Sequence, residues 1–195
     1  MELISIDDFL EWARALGIST DARYTEPRCL AYFPYQDHSR FWKIPDRSAG
    51  IPAFLNHLLD ALERWSHIRL WPRGGKWPEV SDEPSINDLV RGTILGAAGV
   101  PSGHEGAAEF DSDERAKVLT AIFAQIAFGW TTRDDVFIVP DHARYLLYVD
   151  HHEVVHVEFR NASDIEPFIE HMASSGYLLP DEVPDWTFKK PSWMP

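Results

Sequence analysis

Apolar residues recur at helical spacing after Ser5, where Phe9, Trp12, Ala13 and Leu16 share one face. Asp8 stands three residues beyond Ser5, as in a capping box, and Gly17 follows the last apolar position. The pattern predicts a first helix between them. Over 28–44 the chain turns aromatic and β-favouring through Leu30, Tyr32, Phe33, Tyr35, Phe41 and Trp42, broken by Pro34 and the polar stretch 36–40. That predicts a pair of short strands. Pro52 opens a second helix at the position where proline is tolerated, with Phe54, Leu55, Leu58, Leu59, Leu62 and Trp65 directed inward. A strand over 67–71 and an exposed turn at Arg73-Gly74-Gly75-Lys76 follow.

The section 72–84, rich in proline and glycine, is the best candidate for a boundary between halves. A third helix is expected over 85–97, stopped near Gly99 and Pro101, then a loop over 102–107. Asp111 and Glu114 cap a long helix that carries Val118, Leu119, Ile122, Phe123, Ile126 and Ala127. The C-terminal third has the clearest pattern. Strands are predicted over 135–139 and 145–149, and over 154–159 Val155, Val157 and Phe159 alternate with Val154, His156 and Glu158. Ile165, Phe168, Ile169 and Met172 then mark an amphipathic helix that stops at Gly176. Beyond Pro180 the tail is expected to lie pinned along the surface. The fold class is therefore α+β, with an antiparallel sheet packed against about five helices. That sheet combines a three-stranded meander over 134–160 with N-terminal hairpin strands. The organisation is one compact domain over 1–195, with a weak subdivision near 72–84.

Composition narrows the function classes. With 195 residues, 45% hydrophobic and 25% charged, the chain can bury a real core and is not a disordered one. Its net charge of −13 repels nucleic-acid phosphates and anionic membranes, and no Lys/Arg run offsets this. A basic protein partner would be attracted. The one cysteine, Cys29, permits no internal disulfide and reads as a buried, inert thiol. An acidic N-terminus without a basic n-region and the lack of any long apolar run point to a cytoplasmic protein. Eight tryptophans read first as core and edge packers.

His152-Glu153-Val154-Val155-His156 matches H-E-x-x-H, the zinc-peptidase arrangement of two metal ligands around a general base. That chemistry requires a helix, where four residues advance about 6 Å and return both imidazoles to one face. Along a strand the same spacing covers about 13 Å, too far for two nitrogens each about 2 Å from one ion. The surrounding valines and aromatics favour a hairpin, with 150–153 as a turn somewhat longer than two residues because it lacks glycine. Phe159 stands where the extended metal pattern requires glycine, although Glu166, Glu170 and His171 are possible downstream ligands. His142 and Asp141 fall at the opposite end of the shared strand from Asp150, His151 and His152, so these do not form a second cluster.

No nucleophile elbow or phosphate-cradling glycine loop is present. Arg73 to Lys76 is an ordinary two-glycine turn rather than an anion grip, and 102–106 reads as a connector. The expectation is a non-catalytic acidic binding protein of bacterial type, in the manner of an immunity or antitoxin protein, with no cofactor and no metal. Its candidate interaction surface is Asp150, His151, His152, His156 and Glu158. One alternative is a zinc hydrolase using His152 and His156 as ligands and Glu153 as base. Another is a small-molecule or sugar binder stacking its ligand on Trp42, Trp71 and Trp77.

Overall fold

The computed structural model describes residues 1–20, 30–32, 38–46, 48–129, 131 and 134–181. Cys29, the break at Pro34 and the tail beyond Asp181 lie outside them. The strands are β1 (Glu2–Ile4), β2 (Ile18–Thr20), β3 (Leu30–Tyr32), β4 (Ser39–Lys43), β5 (His67–Pro72), β6 (Ala107–Asp111), β7 (Val136–Pro140), β8 (Tyr145–Asp150) and β9 (Val154–Phe159). Five helices accompany them among the described residues: α1 (Ile6–Ala15), α2 (Ile51–Ala61), α3 (Ile86–Ala97), α4 (Arg115–Phe128) and α5 (Ile165–Ser174). The fold is α+β, as the alternation of patterns implies.

Seven strands form one antiparallel sheet in the order β1-β6-β5-β7-β8-β9-β4, so strands from the two ends of the chain interleave across the 72–84 section. The predicted pair over 28–44 exists as strands but not as a mutual hairpin. β3 pairs with β2 in a separate two-stranded sheet, while β4 lies against β9 at the edge of the large one. β6 begins at Ala107, at the end of the expected loop, and lies between β1 and β5, with Ala107 and Ala108 facing the two cores.

Helix ends follow their capping residues. Ser5 Oγ accepts from Asp8 N at 3.2 Å, Ser85 and Asp88 form a reciprocal box at α3, and Asp111 with Glu114 forms another ahead of α4. Helices α2 to α5 pack on one face of the sheet, against Ile68, Leu70, Ile138, Leu147, Val155 and Val157. α1 covers part of the other face, placing Phe9 and Ala13 on Trp71, Phe137, Val139 and Leu146. Neighbouring residues of one strand therefore enter different cores. That is why β7 reads as an unbroken apolar run rather than as clean alternation.

Trp42, Trp71 and Trp77 are at most 1% exposed, so none offers the stacking surface expected of a sugar site. They pack the core: Trp42 against Phe168, Trp71 against Phe9, and Trp77 with its Nε1 donating to Gly106 O. No helix among the described residues is long and apolar enough to cross a membrane.

Candidate functional site

The H-E-x-x-H segment is a β-hairpin. Asp150 pairs with Val154, which leaves 151–153 as a three-residue loop between β8 and β9. Such loops place their last residue in the left-handed region, a place that favours glycine; here Glu153 takes it at φ 63°. Asp150 makes the loop possible without glycine. One carboxylate oxygen accepts from His152 N (2.9 Å) and Val154 N (3.2 Å), while the other meets His156 Nε2 at 3.1 Å. His156 lies on extended backbone paired with Phe41 and Tyr148, and its imidazole is engaged by Asp150. The helical geometry that would bring His152 and His156 to one ion is absent, and the zinc-hydrolase alternative built on that pair fails for this reason.

Burial pushes the Glu153 carboxyl above its usual range, with Asp46 adding to the rise and Lys43 opposing it. The charged form of this side chain is therefore disfavoured where it sits, and its backbone is strained. Glu153→Gly should raise stability by about 0.5–1 kcal/mol, since glycine adopts positive φ freely and removes a partly buried carboxyl. A lower melting temperature for this variant would refute the account.

A second carboxylate organises the rest of the site. Asp135, immediately before β7, has a fully buried side chain. Arg73 Nη1 approaches it at 3.1 Å, the Tyr148 hydroxyl donates to the same oxygen, and His151 supplies both its backbone N (2.8 Å) and Nδ1 (2.9 Å) to the other oxygen. Arg73 Nη1 also reaches the Tyr148 hydroxyl at 2.7 Å. The sequence predicts an exposed turn over 73–76. Lys76 is exposed, but Gly74 and Gly75 adopt φ values of 85° and 78°, and Arg73 turns inward with only 11% of its side chain exposed. The anion it grips is a carboxylate of its own chain.

The Asp135 hydrogen bond is the main cause that raises His151 above its usual value, while burial pushes the Tyr148 phenol far upward. Tyr148 is thus a hydrogen-bond donor and not a base at neutral pH. A histidine oriented by a buried carboxylate resembles the orienting half of a nucleophilic triad. Among the described residues, however, no serine, threonine or cysteine bonds to His151. The structure brings Asp150, His151, His152 and His156 together at this end of the sheet, with Glu158 further along the same face of β9. Asp150 is buried and its carboxylate is directed at the loop it supports, so it does not present to a partner.

Sequence reasoning missed Arg73, Asp135 and Tyr148 as members of this cluster. The one local signal was an acid, Asp135, set directly against the run Val136-Phe137-Ile138-Val139. His142 bonds to Leu62 O and Arg144 N at the opposite end of β8, as the strand order requires. A group able to hold a metal lies elsewhere, where His57 and Asp60 of α2 meet His171 of α5. Comparison of the chain with protein-family models, with curated proteins and with solved structures finds no match.

Proposed function

We propose that this chain is a non-catalytic acidic protein of bacterial type that binds a basic protein partner in the cytoplasm, as immunity and antitoxin proteins do. The observation that carries this reading is the internal use of arginine. Arg69 pairs with Glu109, Arg73 with Asp135, Arg91 with Asp134 and Arg144 with Asp164, every one of these cations at most 35% exposed. Each pair cancels one charge of each sign, so these pairs leave the net charge of −13 unchanged while withdrawing four arginines from the exposed surface. Asp7, Asp8 and Glu11 illustrate the result. Set at positions i, i+1 and i+4 of α1, opposite buried Phe9 and Ala13, they form an exposed acidic stripe.

Such a stripe accelerates encounter with a cationic surface and repels anionic ones, within a screening length of about 8 Å at physiological salt. The occupied carboxylates at Asp135 and Asp150 support the non-catalytic part of the reading, because their hydrogen bonds are spent on holding the hairpin. The test is affinity capture with the full chain at low salt. A stoichiometric basic partner is expected, released as salt rises and weakened at least about tenfold by Asp7→Lys/Glu11→Lys, chiefly through a slower association rate. The reading is overturned if no stoichiometric basic partner is captured, or if the captured protein is indifferent to both salt and charge reversal.

A further inference from the structure

We infer that His57, Asp60 and His171 form a binding site for a borderline divalent metal ion, zinc above all. His57 and Asp60 are three residues apart on α2 and so lie on one helix face. α5 crosses that face and brings His171 to it, so that one donor atom from each residue lies within 4.8 Å of the other two. Donors around tetrahedral zinc are about 3.4 Å apart, given bonds of about 2.0–2.1 Å, so small side-chain rotations close the site. Two imidazoles and one carboxylate suit zinc, whereas magnesium and calcium need six or more oxygens.

Three further observations favour a ligand over a chance meeting of surface groups. His171 Nε2 is buried and has no hydrogen-bond partner among the described residues, a state that native imidazoles avoid unless something else binds them. Ser175, just beyond α5, orients the other imidazole: its Oγ lies 3.0 Å from His57 Nδ1 and 3.3 Å from His171 O. With the hydroxyl proton given to His171 O, Oγ accepts from Nδ1–H, which leaves the His57 lone pair on Nε2 for the metal. Asp60 is held in turn by Arg115, whose Nη2 lies 2.8 Å from Oδ1, as metal-bound carboxylates are usually supported by a hydrogen bond. The three protein donors leave a fourth position for water or a small ligand.

The test is zinc titration of the full chain after treatment with a chelator, read by calorimetry and by the shift in melting temperature. One zinc per chain is expected, with micromolar or tighter affinity and no heat from magnesium. His57→Ala and His171→Ala should each weaken zinc by more than about 100-fold, and Ser175→Ala, which removes only a positioning group, by about tenfold. Asp60→Asn is measured beside them, because Asp60 is exposed and its loss leaves the core intact; it too should weaken zinc. His152→Ala and His156→Ala should bind zinc like the parent. The inference is overturned if the parent shows no saturable one-to-one binding, if folded His57, Asp60 and His171 variants bind as tightly as the parent, or if the hairpin histidines account for the binding.

Discussion

Asp135→Ala is expected to remove about 3–5 kcal/mol of stability, a large fraction of what a domain of this size usually possesses. The cost comes from what remains behind. Arg73 is 89% withdrawn from solvent by its 11% exposure, and Asp135 is its buried counter-charge. Deleting the carboxylate also strips acceptors from the Tyr148 hydroxyl and from the His151 backbone and ring. Replacing both ends with apolar residues, as in Arg73→Met/Asp135→Leu, should cost less than the single alanine change, because no buried charge is then left uncompensated. Urea unfolding of the three proteins measures this directly. If Asp135→Ala unfolds at the parent's midpoint, the cluster contributes nothing to the fold.

The bond between Asp135 and His151 predicts a pH dependence. His151 is raised above its ordinary 6.5 chiefly by the Asp135 hydrogen bond. A raised folded value means that the bond's contribution is complete below about pH 6.5 and is lost as pH climbs through the folded value. Stability of the parent should therefore decline as pH rises above 6.5, and Asp135→Asn should flatten that decline.

Trp71→Ala is expected to cost a similar amount, about 3–5 kcal/mol, by opening a large cavity in the smaller core. Trp71 is fully buried and its ring stacks on Phe9, with centroids 4.3 Å apart and planes 10° from parallel. Because Phe9 and Ala13 are the buried residues by which α1 holds the sheet, the variant should also release that helix. Hydrogen exchange distinguishes the two levels of damage. Amides of α1 should lose protection well before those of β7 and β8. Equal loss everywhere would mean that the two faces of the sheet form one cooperative unit.

The elements read well from the sequence are those whose signals are local. The Ser5 and Asp111 caps act over three residues, and the 154–159 alternation needs only its own six positions to declare a strand. The same alternation decided the fate of H-E-x-x-H. β6 escaped notice for the opposite reason: Ala107-Ala108-Glu109-Phe110-Asp111 has little strand propensity, and its conformation comes from lying between β1 and β5. The aromatic pattern of β4 declares a strand, but nothing near it in sequence says that its partner is β9.

Chain periodicity and capping chemistry by themselves determined the α+β class, the meander, the five helices and the extended backbone around His156. Tertiary structure alone decided which buried acid Arg73 meets, 62 residues further on, and that α2 and α5 bring His57 and His171 together. The physical reason is range. Hydrogen-bonded caps and side-chain periodicity couple residues within about one turn or one strand. The partners of a buried charge or an imidazole are chosen by the order in which strands and helices pack, which no short window of sequence contains.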